Sequence, residues 1–197
     1  MNFHYALGKS SVIRNEHRES LVTCLRKIPD FSWLIGAPNR YSDRLQGDFF
    51  SDFPVVYLKA DGQPRATRKP AMLINNSCDL PPGRNPMVTV ALVLDFGQYL
   101  KFLERKKLKR EAIENHARDV RRNQIGELLY VPNFSTFSDG AIVRLDQLCS
   151  VAYGLLEEAI QNGRRIASFT QSGFYVLLLK LTHHLTRSES AEMNRLE

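Results

Sequence analysis

Two apolar runs separated by a polar, bent connection constrain this chain most. Ala71–Ile74 is followed by Asn75-Asn76-Ser77-Cys78-Asp79, a Pro/Gly bend through Gly83, and a second apolar run, Val88–Leu94. Runs this short have strand length, and turn-forming residues bound them. They predict two strands joined by a polar loop, with the rest of the chain wrapped around them. At 197 residues and 43% hydrophobic content the chain can bury one substantial core, which favours a single domain with extensions over two domains.

The flanking segments extend the pattern. Gly47-Asp48-Phe49-Phe50 leads into Phe53–Leu58, where Pro54 points to an edge or irregular strand. Ala60-Asp61-Gly62 reads as a hairpin turn, because Asp-Gly tolerates positive φ, and the basic, exposed segment Pro64–Lys69 returns into the strand Ala71–Asn75. Gln98–Gln124 is rich in helix formers and free of Gly and Pro, which predicts one long helix ended by Gly126. Its apolar positions, Leu100, Leu103, Leu108, Ile113 and Val120, form only a broken stripe, so it reads as an excursion between strands and not as a core element. Leu128–Val131 predicts a short strand, Ser138-Asp139-Gly140 a turn, and Ala141–Asp146 the last strand. Leu148–Ala159 fits either a short strand or a helix. Phe174, Leu177, Leu178, Leu181 and Leu185 predict a C-terminal helix over about residues 168–187, with Ser168 or Thr170 at its cap. Near the start, Glu19, Leu21, Val22, Leu25 and Ile28 predict an amphipathic helix that Pro29-Asp30 ends, before a loop at Gly36-Ala37-Pro38-Asn39.

Composition narrows the function classes. Three widely spaced cysteines, Cys24, Cys78 and Cys149, argue for reduced thiols in a cytoplasm, and no CxxC or HxxxH spacing offers a metal site. No cofactor motif is present. No apolar run approaches the roughly 20 residues that span a bilayer, and the opening residues predict no secretory leader. The formal net charge is +6, and its basic residues crowd the middle: Lys101, Arg105, Lys106, Lys107, Lys109 and Arg110, then Arg118, Arg121 and Arg122. Such clustering suits RNA, DNA or an acidic protein. A solvated helix face is the competing reading.

The succession Gly47-Asp48-Phe49-Phe50, Gly62-Gln63-Pro64, Arg68-Lys69-Pro70-Ala71-Met72-Leu73-Ile74-Asn75-Asn76 and Pro86-Met87-Val88-Thr89-Val90-Ala91-Leu92-Val93 resembles the strand series of MazF/PemK-like proteins over about residues 46–96. The resemblance implies an SH3-like small β-barrel, and in that family the barrel is typically a metal-independent endoribonuclease toxin held by an antitoxin. The implied fold is α+β: barrel strands at about 46–96 and 126–150, an inserted basic helix at about 98–124, and N- and C-terminal helices. Two family positions depart. The catalytic Arg-Pro is matched here by Lys69-Pro70, with Arg68 one place earlier, and the family's strand-end hydroxyl falls on Leu94. Lysine is a poor substitute for a planar guanidinium. A second similarity, to uncharacterised bacterial proteins, rests on Asn76-Ser77-Cys78-Asp79 and on Arg165-Ile166-Ala167-Ser168 before the last helix.

Three function classes follow. The favoured one is a non-catalytic binding or accessory module that docks onto a partner protein, such as an antitoxin or a larger neighbour-encoded protein, or onto nucleic acid, in a toxin–antitoxin or phage-defence setting. Arg65, Lys69 and the central basic residues Lys101, Arg105, Lys106, Lys109, Arg110, Arg121 and Arg122 are its candidate contacts. The second is an endoribonuclease whose catalytic groups have moved to Arg68, Asp79 and Asp95. The third is a hydrolase using Cys78, which needs a nearby base such as His116, His183 or His184. The bland reading of Cys78-Asp79 is a small structural residue beside a turn cap.

Overall fold

A computed structural model describes residues 33–35 and 43–186. The expected N-terminal helix and Cys24 lie outside these residues. Seven strands and four helices make up the described fold: β1 Leu34–Ile35, β2 Phe49–Leu58, β3 Pro64–Leu73, β4 Met87–Asp95, α1 Phe96–Arg105, α2 Arg110–Arg121, β5 Leu128–Val131, β6 Ala141–Ala152, α3 Tyr153–Gln161, β7 Arg165–Phe169 and α4 Gln171–Thr186. Every strand pair is antiparallel, in the order β1-β7-β2-β3-β4-β6-β5. The architecture is α+β, with one curled sheet and helices on both of its faces. The curl brings β2 and β6, three places apart in the sheet, to within 8 Å between Cα atoms with no hydrogen-bonded pairing between them.

Alternation along the strands assigns the two faces. Phe49, Met72, Ala91, Val93, Leu129 and Val143 point to one, where α4 covers them with Val176, Leu177, Leu179 and Leu181. Phe50, Phe53, Ala71, Leu73, Val88 and Val90 point to the other, the interior of the curl, where Leu156 and Ala159 of α3 close one end. At the β5 edge, Phe96 of α1 and Ala117 and Val120 of α2 pack on Leu128, Tyr130 and Ile142.

Both central strands form where the two apolar runs lie, and the Asp61-Gly62 hairpin closes with Gly62 at φ +78° and Gly62 N donating to Lys59 O at 2.9 Å. Strand β3 is longer than expected, because the basic segment from Pro64 pairs with β2 along its whole length. Pro54 sits where β2 pairs with β3 alone, which fits an edge residue without an N–H. The C-terminal helix begins after Thr170, whose Oγ1 accepts from Gly173 N at 3.2 Å.

Two expectations are corrected. The long helix is in fact two, α1 and α2, which fold back on each other around Lys107 at φ +56°. A straight helix over 98–124 would run about 40 Å. It could not press Phe96 and Val120 onto the same corner of the sheet, so burial of both apolar stripes outweighs the helix propensity of the lysine-rich break. The hairpin is also a packed element with its own small core, and not an excursion. Likewise, Ala141–Asp146 is not the last strand. Strand β6 continues to Ala152 past a bulge, since Leu92 pairs with Arg144 but Ala91 with Leu148, and β7 follows after α3.

Candidate binding site

The interior of the curl is capped by α3 at one end and open at the other. The open end is a cavity of about 410 Å³ lined by Val55–Leu58 of β2, Lys69 of β3, Leu92 and Leu94 of β4, and Asp146–Cys149 of β6. That volume is within the range of ligand and side-chain pockets, and its lining is mainly apolar with a few polar groups, the usual character of such sites. Val56, Tyr57, Leu58 and Leu148 at its rim are four of the eight large apolar side chains that the described residues expose, and Leu58 is 69% exposed. They form one patch and are not scattered.

Two strand edges border the opening. From Phe53 to Leu58, β2 pairs only with β3 among the described residues, since β7 reaches no further than Phe49 and Phe50. Beyond Leu145, whose N–H still donates to Glu127 O at 2.9 Å, β6 pairs only with β4 among the described residues. Among the described residues, both segments leave backbone donors and acceptors unpaired on the side facing away from the sheet.

The charge at the opening is one-sided. Register places Lys69 opposite Phe53 and Arg65 opposite Tyr57, on the face of β3 that looks into the curl. Neither has a carboxylate within 4 Å among the described residues. Asp146 across the opening is engaged: Arg144 donates to it from Nε and Nη2 at 2.7 and 2.6 Å, and these bonds hold its carboxyl below the ordinary carboxylate range. The net field at the opening is therefore positive.

Of the candidate catalytic residues, each has a local structural role. Arg68 Nε donates to Asp52 Oδ2 at 2.8 Å, on the outer side of the β2–β3 arm. Asp95 caps α1, its Oδ1 accepting from Gln98 N at 2.8 Å. Asp79 lies in a short 3₁₀ turn, Ser77–Asp79, before β4 begins. Asp79 thus precedes β4 and Asp95 ends it, a strand that itself runs about 26 Å, and with Arg68 they do not gather into one cleft.

The polar knot around Cys78 also closes on itself. Asn76 Oδ1 accepts from Cys78 N at 2.9 Å, Ser77 Oγ from Gln46 N at 2.9 Å, and Asn75 Oδ1 from Thr89 N at 2.5 Å. Cys78 is exposed beside a depression that Asp43, Arg44 and Pro81 also line, and no histidine among the described residues lines it. His116 instead bonds Tyr99 OH at 2.8 Å, on the α1–α2 hairpin. The bases a Cys78 nucleophile requires are therefore on other elements.

Two buried polar groups that the sequence reading missed tie the sheet and α4 together away from the opening. Asp48, fully buried, accepts from Ser168 Oγ, from Arg165 Nη1 at 3.1 Å and from Leu45 N at 3.1 Å, which ties β7 to the start of β2. Burial pushes its carboxyl above the ordinary value, against the pull of these donors. Lys180 of α4, also fully buried, donates to Asn123 O at 2.9 Å and Ile125 O at 2.5 Å, and burial lowers its ammonium to about 7. A charged residue amid apolar helix positions is the signal that marks Lys180 in the sequence.

Every candidate basic residue of the central segment lies exposed on the α1–α2 hairpin: Lys101, Arg105, Lys106, Lys109, Arg110, Arg121 and Arg122. Among the described residues no group of three or more metal-ligating side chains comes together, and no helix is long and apolar enough to cross a membrane. The chain matches no protein-family model and no curated protein.

Proposed function

We propose that this chain is a non-catalytic binding module, a small barrel of MazF/PemK-like type left open at one seam, that takes up an extended segment of a partner protein. The observation that carries the reading is the exposed patch of Val56, Tyr57, Leu58 and Leu148 around a 410 Å³ opening, bordered by unpaired strand edges. A strand laid along β2 gains main-chain hydrogen bonds, and its alternate side chains enter the apolar opening. The unpaired cations Lys69 and Arg65 select a segment in which acidic residues accompany the apolar ones. A partner of antitoxin type, or a larger protein encoded nearby, supplies such a segment in a toxin–antitoxin or phage-defence setting.

The test is a display selection of random peptides against the full chain. Segments alternating apolar and acidic residues are expected to emerge, and Leu58→Asp and Lys69→Glu are expected to abolish their binding with the melting temperature unchanged. A selection without a common pattern, or binding indifferent to both substitutions, overturns the reading.

A further inference from the structure

The second surface is electrostatic and lies on a different element. Residues 98–124 carry nine Lys and Arg against four Asp and Glu, a net +5 of the chain's formal +6. Little of that charge is neutralised within the hairpin. Arg110 pairs with Glu114 at 2.8 Å, and Arg121 lies 4.7 Å over the Phe96 ring. Lys101, Arg105, Lys106, Lys107, Lys109 and Arg122 have no carboxylate within 4 Å among the described residues.

A solvated helix face accounts for cations alone, but this face also carries an aromatic ring. Phe102 is 50% exposed, and Arg105 and the α1 C-cap Lys106 follow it three and four places on, on the same side of the helix. Lys106 Nζ sits 4.7 Å over the Phe102 ring. The tip carries backbone strain as well: Lys107 holds φ +56°, a left-handed conformation disfavoured for a lysine, and so keeps Lys106, Lys107 and Lys109 together at the turn.

An exposed ring flanked by unpaired cations has one natural complement, a flexible polyanion whose units carry both a phosphate and a flat π-face. Base stacking on an aromatic side chain contributes to single-strand binding whatever the base, and the cations track the backbone. A duplex presents phosphates but keeps its bases stacked, and an acidic peptide offers charge without rings. We infer that the α1–α2 hairpin is a single-stranded nucleic-acid interface, with a base stacked on Phe102 and the backbone along Lys101, Arg105, Lys106 and Lys109.

The experiment measures fluorescence anisotropy of the full chain with labelled oligouridylate and oligothymidylate of about twelve nucleotides, a duplex of the same length, an abasic strand and polyglutamate. Both single strands are expected to bind, with a log–log salt slope of about −3, corresponding to about four phosphate contacts. Tighter binding of the ribose or the deoxyribose form supports the inference and says which strand is meant. Lys101→Glu with Lys106→Glu is expected to weaken binding at least tenfold and to flatten the slope. Phe102→Ala, at an exposed position that accepts a better helix former, is expected to weaken the single strands about tenfold and leave the abasic strand unchanged. Duplex or polyglutamate bound as tightly as the single strands, a Phe102→Ala protein that binds as the parent does, or no binding at about 50 mM salt overturns the inference.

Discussion

The two faces of the curled sheet are made of similar residues and end differently. On the covered face, Val93, Leu129 and Val143 are sealed under α4. On the inner face, α3 seals Phe50, Val88 and Val90, but the same strands run on into open solvent, and β2 passes from buried Val55 to Leu58. Strand β2 keeps its apolar character where the cover stops. Burial on the first face is a matter of folding, and exposure on the second is a cost that the proposed binding role explains. The contrast teaches that the helices, and not the strands, decide which half of this sheet is core and which is site.

The comparison breaks most readily at Lys180, which fastens α4 over the covered face. Its ammonium, lowered to about 7 in the folded chain, titrates near its ordinary value of about 10.4 when unfolded. Between those values the unfolded chain binds more protons, so stability rises with pH, at a slope approaching about 1.4 kcal/mol per pH unit. Urea unfolding from pH 7 to 10 is expected to show that rise, and Lys180→Met to remove most of it while leaving the Asn123 and Ile125 carbonyls short of a donor.

A smaller effect sharpens the contrast directly. Leu177→Ala, at a fully buried position under the sheet, is expected to cost about 3 kcal/mol, read as a fall in the urea midpoint at unchanged slope. Asn123→Ala is expected to cost about 2 kcal/mol in the same measurement. It removes the bonds from Asn123 Nδ2 to Tyr130 O at 3.0 Å and from Tyr130 N to Asn123 Oδ1 at 2.8 Å, and puts alanine at φ +56°. Smallest of all, Leu58→Ser at the open end is expected to shift stability by no more than about 0.5 kcal/mol while weakening peptide capture. A Leu58→Ser protein as destabilised as Leu177→Ala would erase the distinction between the faces.

Some of this was legible in the sequence. The apolar runs at Ala71 and Val88 are strands, Asp61-Gly62 is a hairpin, and the Phe174–Leu185 spacing is a helix capped by Thr170, each because a short-range pattern and a matching turn or cap coincide. The bend at Lys107 was not legible, because every residue from Arg105 to Arg110 favours helix, and only the packing of Phe96 and Val120 on one corner requires the turn. Strand β7 was hidden for a related reason: Arg165 and Ser168 look like surface residues until Asp48, more than a hundred positions away, pairs with both. The candidate site left one readable trace, the unbroken Val55-Val56-Tyr57-Leu58 run leading into a turn, where a one-sided strand would alternate.

The amino-acid sequence alone determined the two central strands, where the Asp61-Gly62 hairpin turns and where the positive charge is concentrated, since backbone preference, side-chain period and formal charge are local properties. Only the tertiary structure decided which apolar residues stay exposed, that Arg68, Asp79 and Asp95 lie apart, and that Phe102 shares a face with unpaired cations. Those outcomes depend on how far the sheet curls and where each helix comes to rest, and both are set by contacts between residues distant in the chain.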